Sequence, residues 1–464
     1  MMKKMTLTAT PLALSLVLSG CMSLAPTYER PAAPVAAAFP AMATSSASNE
    51  AAAQIEWQRF FADARLKQLI DLSLANNRDL RVAILNIEQA RAQYQIRRAD
   101  QLPTLAAVVA GNRAPGANDS VTTYSAGFGV SAFELDLFGR VRNLSEAALA
   151  QFLATEEARK GTQISLIASV ANTYLAVLAD DELLALTRQT LGARDASLKL
   201  TQLKYDNGVV SNLDLQQALS LVDTARVVLA QQQRQRAQDA HLLVLLVGQP
   251  LPNTLAPGNT LAQTALSELP AGLPSDLLSV RPDIRAAEQQ LIGANANIGA
   301  ARANFFPRIS LTGTAGSASS QLSGLFGSGS FGWTFAPQAV LPIFDYGRNT
   351  ANLGSATAGR DIAVAQYERS IQVAFREVSD ALAGQATYAE QLRAQRAVAA
   401  AEAERFKLSD LRYRSGAASY LDLLDAQRSL FNAQQAAVQA NLQRLQNQVT
   451  LYRVLGGGWS DAVR

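Results

Sequence analysis

Thr123-Tyr-Ser-Ala-Gly-Phe-Gly-Val-Ser-Ala132 alternates residue by residue. Tyr124, Ala126, Phe128, Val130 and Ala132 fall on one side, and Thr123, Ser125, Gly127, Gly129 and Ser131 on the other. A period of two is that of an extended strand. The same dyad returns far downstream. Ile309, Leu311, Gly313 and Ala315 alternate with Ser310, Thr312, Thr314 and Gly316, and Phe331, Trp333 and Phe335 with Gly332, Thr334 and Ala336. Two strands are read in each region, joined by loops near residues 115–120 and 321–330. The first strand, 104–112, alternates poorly and its assignment leans on the repeat described next. Strands of this kind suit one face toward lipid and one toward a wet lumen. They run to about 13 residues, ~40 Å at ~3.3 Å per residue, with the aromatics on the apolar side. Both features favour a membrane sheet over the half-buried hairpin of a soluble domain.

The two regions belong to a duplication. Leu200-Thr-Gln-Leu-Lys-Tyr-Asp-Asn-Gly208 matches Leu408-Ser-Asp-Leu-Arg-Tyr-Arg-Ser-Gly416. The register of 208 positions holds without a gap through Ser211/Ser419, Asp214/Asp422, Ala225/Ala433 and Gly248/Gly456. Upstream, Asp79/Asp283, Arg98/Arg302 and Pro103/Pro307 are separated by 204, while Gly139/Gly347 returns to 208, so the difference falls between Pro307 and Gly347. Each copy therefore reads as a helix ending near proline, a hairpin of strands, and a long helical hairpin. Repeat 1 spans residues 61–270, with strands at about 104–137 and the helical hairpin at about 143–247. Repeat 2 spans 271–464, with strands at about 308–345 and helices at about 349–455.

Residues 143–205 contain no proline and few glycines, room for a helix on the order of 90 Å. The run 164–179 is apolar enough to suggest a membrane span, but Asn172, Thr173, Lys160, Asp180 and Asp181 favour a packed helix. The fold class is thus mixed: long helices suited to a tube, plus a membrane sheet. Unpaired backbone groups are not tolerated in hydrocarbon, and four strands are too few to close a barrel. Several chains must each contribute strands to one pore.

The N-terminus gives the compartment. Lys3 and Lys4 precede a short apolar run, and Leu18-Ser-Gly-Cys21 has the form of a bacterial lipoprotein cleavage site. Cys21 is the only cysteine in 464 residues. Residues 1–20 are read as a signal peptide and 21–60 as an acylated extension, with N-palmitoyl and S-diacylglycerol groups on Cys21. Met22 in place of aspartate favours onward export to the outer membrane. Loss of Lys3 and Lys4 with the leader takes the formal charge from +3 to +1, which leaves the mature chain nearly neutral. The spread of basic residues has no nucleic-acid footprint.

Catalytic chemistry finds little support. The one histidine, His241, adjoins the apolar run 242–247 and reads as a helix-surface or interface residue. With an acylated cysteine and a single histidine, no zinc site or histidine-based triad can be assembled. Gly327-Ser-Gly-Ser-Phe-Gly332 matches a dinucleotide fingerprint literally but precedes a strand rather than following one. No phosphate-binding loop motif is present, so energy for any pumping must come from a partner.

Taken together, Leu18-Ser-Gly-Cys21, Pro26-Thr-Tyr-Glu-Arg-Pro31, Asn77-Arg-Asp-Leu-Arg81 and Phe133-Glu-Leu-Asp-Leu-Phe-Gly-Arg140 in the first half resemble the outer membrane factor family of TolC-like exit ducts. So do Arg281-Pro-Asp-Ile284, Phe305-Phe-Pro307, Tyr420-Leu-Asp-Leu-Leu-Asp-Ala-Gln427 and Gly456-Gly-Gly-Trp459. The likeness covers nearly all the mature chain and is strongest to the acylated OprM-type branch. It implies a homotrimer with a twelve-stranded β-barrel in the outer membrane and a twelve-helix periplasmic tube. It also implies a periplasmic adaptor, an inner-membrane transporter of the resistance-nodulation-division class, and passive efflux of drugs or other small toxic compounds. A duct for type I protein secretion or metal cations, and a periplasmic lipoprotein scaffold without a pore, remain as alternatives.

The helical turns Tyr205-Asp-Asn-Gly208-Val-Val-Ser211 and Tyr413-Arg-Ser-Gly416-Ala-Ala-Ser419 are the candidate sites. Glycine suits a helix end, and Ser211/Asp214 and Ser419/Asp422 have capping-box spacing. The resemblance puts a periplasmic gate at Leu421, Asp422 and Asp425, with Asp214 and Tyr413 in the same turns. Capping alone accounts for Asp214 and Asp422. It does not account for Asp425, whose counterpart in the other copy is Gln217. Asn207, Gly208, Ser415 and Gly416 match the adaptor-contact positions. Tyr413 also matches one half of a tyrosine–arginine latch, but Ala418 stands at the arginine position.

Overall fold

The computed structural model describes residues 23–39, 54–115, 120–267, 269 and 274–459; Cys21 and the signal segment lie outside the described residues. Copy 1 comprises α1 (Ala64–Asn76), α2 (Arg78–Ala99), β1 (Leu105–Pro115), β2 (Ser120–Leu135), α3 (Arg140–Asp206) and α4 (Asn212–Val247). Copy 2 comprises α5 (Pro274–Val280), α6 (Pro282–Ala303), β3 (Arg308–Ser319), β4 (Phe331–Val340), α7 (Arg348–Arg414) and α8 (Tyr420–Val454). α3 and α7 are 67 residues each, about 100 Å at 1.5 Å per residue. The described chain divides into two compact units. One holds the sheet, α6 and the adjoining helical segments; the other holds α1, α4, α8 and the remainder of α3 and α7.

In the first unit the strands form one antiparallel sheet in the order β1-β2-β3-β4. Cross-strand partners share a face, so the register sorts the side chains. Ala107, Phe128, Ala315 and Trp333 form one row, and Leu105, Val130, Gly313 and Phe335 another, on the apolar face. The opposite face carries Asn112 beside Thr123, and Thr314 beside Thr334, whose hydroxyls lie 2.6 Å apart. β1 and β4 are exposed along their whole length on both faces. Trp333 is 74% exposed.

Strict alternation fails at one place. A bulge between Val130 and Phe133 takes Ala132 out of the apolar row where the dyad puts it; Ala132 has φ +50° and its N–H donates to Thr312 Oγ1. Phe133 and Leu135 occupy the apolar side instead, opposite Leu311 and Ile309. The extra residue of a bulge shifts the parity of everything after it. On the polar face, Gly127 pairs with Gly316. A Cβ on Gly127 would lie 2.4 Å from Ala315 O and one on Gly316 2.4 Å from Ala126 O, so only glycine fits either position.

The segment Pro26–Pro31 is strapped along α6. Arg30 forks onto Glu288 at 2.7 and 2.8 Å, Tyr28 Oη donates to the same carboxylate, and Asn295 Nδ2 donates to Pro26 O. Arg302 reaches Leu24 O, and Ser23 meets Asn143. From Leu24 to Arg30 the chain thus runs antiparallel to α6, starting beside its C-terminal end, the end that leads into β3.

The second unit buries the apolar run of α3. Ile167, Val170, Ala171 and Leu175 are all at or below 1% exposure, as expected of a packed helix rather than a membrane span. Asp63 caps α1 through Arg65 N and Leu66 N and also accepts from Tyr174 Oη and Asn259 N. Phe60 stacks on Tyr452 at 4.2 Å. The glycines after α8 lie against the same ring; a Cβ on Gly457 would come within 2.2 Å of it.

The duplication is visible in bonding as well as in sequence. Asn77 Nδ2 donates to Leu246 O at 2.9 Å, and its counterpart Arg281 donates from Nη1 to Val454 O, the matching carbonyl, at 3.0 Å. Both side chains satisfy a carbonyl in the last turn of their copy's final helix. Arg281 adds a fork onto Asp283 and a bond to Glu377.

Candidate functional site

The helical tips are built twice from the same parts. Gly208 and Gly416 take positive φ, +68° and +76°. Val209 N donates to Lys204 O and Gly208 N to Tyr205 O; Ala417 N to Arg412 O and Gly416 N to Tyr413 O repeat the pattern. This Schellman arrangement ends α3 and α7. Asn207 Nδ2 and Ser415 Oγ bond the carbonyls of Leu203 and Arg412. Ser211 and Ser419 then cap α4 and α8 in full capping boxes with Asp214 and Asp422. The capping role expected of these two aspartates is therefore present in both copies.

Asp425 is engaged differently. Its two oxygens are taken by Arg405 of α7 and by Arg428, the latter at 3.2 Å. The hydrogen bond from Arg405, then that from Arg428, holds the carboxyl below its ordinary value. Arg405 also bonds Glu402 at 3.1 Å. A shallow cleft lined by Arg405, Leu408, Leu421, Asp422 and Asp425 runs between α7 and α8, with Leu421 exposed. Arg405 carries no motif of its own. Its only trace in the sequence is symmetry: it lies ten residues before Ser415, and Asp425 ten after, so an antiparallel hairpin turning there brings them together.

Tyr413 ties the two hairpins. Lys204 of α3 donates to its hydroxyl at 3.3 Å and sits 4.6 Å from its ring centroid, while Tyr420 packs 5.4 Å away. The partner is thus a lysine of the first copy, in a chain whose position 418 is alanine. Beneath these contacts Ala218, Tyr420, Leu423 and Leu424 form a small core with Leu198, Leu221 and Phe406 against it.

An open sheet, apolar on one face and polar on the other, in one chain with helices of 67 residues, defines the subunit of an outer-membrane channel. The chain belongs to the outer membrane efflux protein family, whose model matches it twice, over residues 69–249 and 273–457, once in each copy of the duplication. It is similar to the toluene efflux pump outer membrane protein TtgC of Pseudomonas putida, 49% identical over 96% of this chain and 94% of that one. It is 45% identical to the outer membrane protein OprJ of Pseudomonas aeruginosa, over 99% and 98% of the two chains. Among solved structures it resembles the open state of the MtrE outer membrane channel of Neisseria gonorrhoeae. That TM-score is 0.87 at 41% identity, over 94% of this chain and 98% of that one. The protein is an outer-membrane channel component of an efflux pump, in a family of transport channels.

Proposed function

We propose that three copies of this chain form a gated duct that passively conducts drugs, solvents or other small toxic compounds out of the cell. Twelve strands close the barrel in the outer membrane and twelve long helices form the periplasmic tube. The observation that carries this reading is the sheet: among the described residues its outer strands have no further partner and its aromatic face is bare. In hydrocarbon neither edge can be left unsatisfied, and neighbouring copies supply the missing strands. The named relatives, a toluene pump component and OprJ among them, support the substrate class.

Asn207, Gly208, Ser415 and Gly416 form the tip surface offered to a periplasmic adaptor, and an inner-membrane transporter of the resistance-nodulation-division class supplies the energy. Leu421, Asp422 and Asp425, with Asp214 and Tyr413 in the same turns, form the periplasmic gate. The bond of Asp425 to Arg405 holds α8 against α7, and the bond to Arg428 steadies the carboxylate along α8. An acyl group on Cys21 fits the course of the N-terminal segment. Ser23, two residues on, lies at Asn143 near the start of α3, close along the chain to β2.

Reconstitution in planar bilayers tests the proposal. Wild-type protein should show a small conductance, and Asp425→Ala a severalfold larger one. No conductance in either would support a scaffold without a pore. An unchanged conductance in the variant would remove Asp425 from the gate.

A further inference from the structure

Beside the tips lies a cleft that neither capping nor gating uses. Arg194 of α3 is 4% exposed. Its Nη1 donates to Leu221 O at 2.9 Å and its guanidinium lies 5.1 Å from the Phe431 ring centroid. That leaves most of five N–H donors unused, and Nε is buried without a partner. Among the described residues no carboxylate reaches it. The adjacent Asp195 is held by Arg226 at 3.4 Å, and Asp425 by Arg405 and Arg428. Burial, and then the charge of Arg428, pull the guanidinium below the ordinary arginine value.

The duplication sharpens the anomaly. The counterpart of Arg194 in copy 2 is Glu402, whose carboxylate is bonded by Arg405. The counterparts of Asp425 and Arg405 in copy 1 are Gln217 and Ser197. At these positions copy 2 pairs acid with base, whereas copy 1 keeps a buried cation whose neighbouring acid, Asp195, is engaged by Arg226. An uncompensated buried charge is costly.

The space beside Arg194 is a cavity of about 150 Å³, lined also by Gln189, Thr190, Phe406, Gln427 and Gln434. Gln427 Oε1 is itself buried without a partner, so its amide is free to turn toward a ligand. The cleft has room for an ion of a few heavy atoms, since a single water needs only about 10–15 Å³ of such space.

We infer that the cleft between α3, α7 and α8 around Arg194 binds a small singly charged anion, a halide or a short carboxylate. The free Nη2 of the guanidinium supplies the charge-assisted donors, and Thr190 and the glutamine amides complete the shell. Gln427 lies between Asp425 and Arg428 on α8, so the bound ion joins the first hairpin to the second near the tips.

The test uses purified full-length protein, with ionic strength held constant by gluconate, a bulky and strongly hydrated anion. Replacing gluconate with chloride or acetate should raise the thermal midpoint saturably. Arg194→Gln should weaken that response at least tenfold, and Gln427→Leu should weaken it less. Crystals grown in bromide should show anomalous density beside the Arg194 guanidinium, a readout that survives even if Arg194→Gln does not fold. A response to chloride alone assigns a halide site, and a response to acetate assigns a carboxylate site. A midpoint indifferent to the anion, an equal response in Arg194→Gln, or bromide absent from the cleft overturns the inference.

Discussion

Arg281→Met separates the two halves of the duplication by a measurable energy. The Arg281 side chain is 8% exposed, forks onto Asp283 at 3.0 and 2.6 Å, bonds Glu377 at 2.9 Å and donates to Val454 O. Methionine keeps the bulk of the stem and removes every donor. Breaking a fully buried pair costs about 3–5 kcal/mol, but Asp283 and Glu377 are 48% and 24% exposed and rehydrate. The Val454 carbonyl, in a residue 1% exposed, is left unpaired at about 1–3 kcal/mol. The expected loss is about 3 kcal/mol. With unfolding entropy near 2.1 cal/mol/K per residue, that is a shift of about 3 °C if the whole chain melts together. Asn77→Ala removes only neutral bonds, to Leu246 O and from Leu80 N, at about 1–2 kcal/mol. Scanning fluorimetry of the purified full-length protein reads both. Arg281→Lys should recover only part, because an ammonium cannot fork. An Arg281→Met midpoint at or above that of Asn77→Ala would refute the reasoning.

Other consequences follow from the same geometry. Burial of Asp180, then its hydrogen bond and charge interaction with Asp239, push its carboxyl up to about 7 against the pull of Arg236. Between its ordinary value and about 7 the folded chain binds a proton that the unfolded chain has lost, so stability should fall as pH rises through that window. Asp180→Asn should flatten that slope in denaturant titrations across pH 4–8. Gly127→Val should cost at least about 1–3 kcal/mol by overpacking against Ala315 O, read as loss of heat-resistant folded protein in membranes. Trp333→Lys, on the apolar face, should impair insertion by about 2–4 kcal/mol near the midplane. Thr334→Lys, on the other face, should insert normally, as scored by urea-resistant membrane fractions.

Much of this architecture is legible in the chain itself. Alternation at Tyr124–Val130 and at Phe331–Phe335 assigned lipid-facing and lumen-facing sides because a strand's side chains change face at every residue. The 208-residue register exposed the duplication, and Ser-x-x-Asp after a glycine marked the caps, since capping is settled within four residues of chain. Contacts between distant segments were not legible. The bulge that removes Ala132 from its row depends on what β3 presents opposite it, and the partner of Tyr413 is a lysine 209 positions away. Nor does sequence distinguish Arg194 from the paired arginines around it. Charge, length and propensity are the same; only packing against Phe431 and the absence of an acid within reach leave it buried with donors to spare. Local periodicity is written in the chain because each residue carries its own conformational preference. Pairing and burial are decided in the tertiary structure because they depend on which surfaces the fold removes from water.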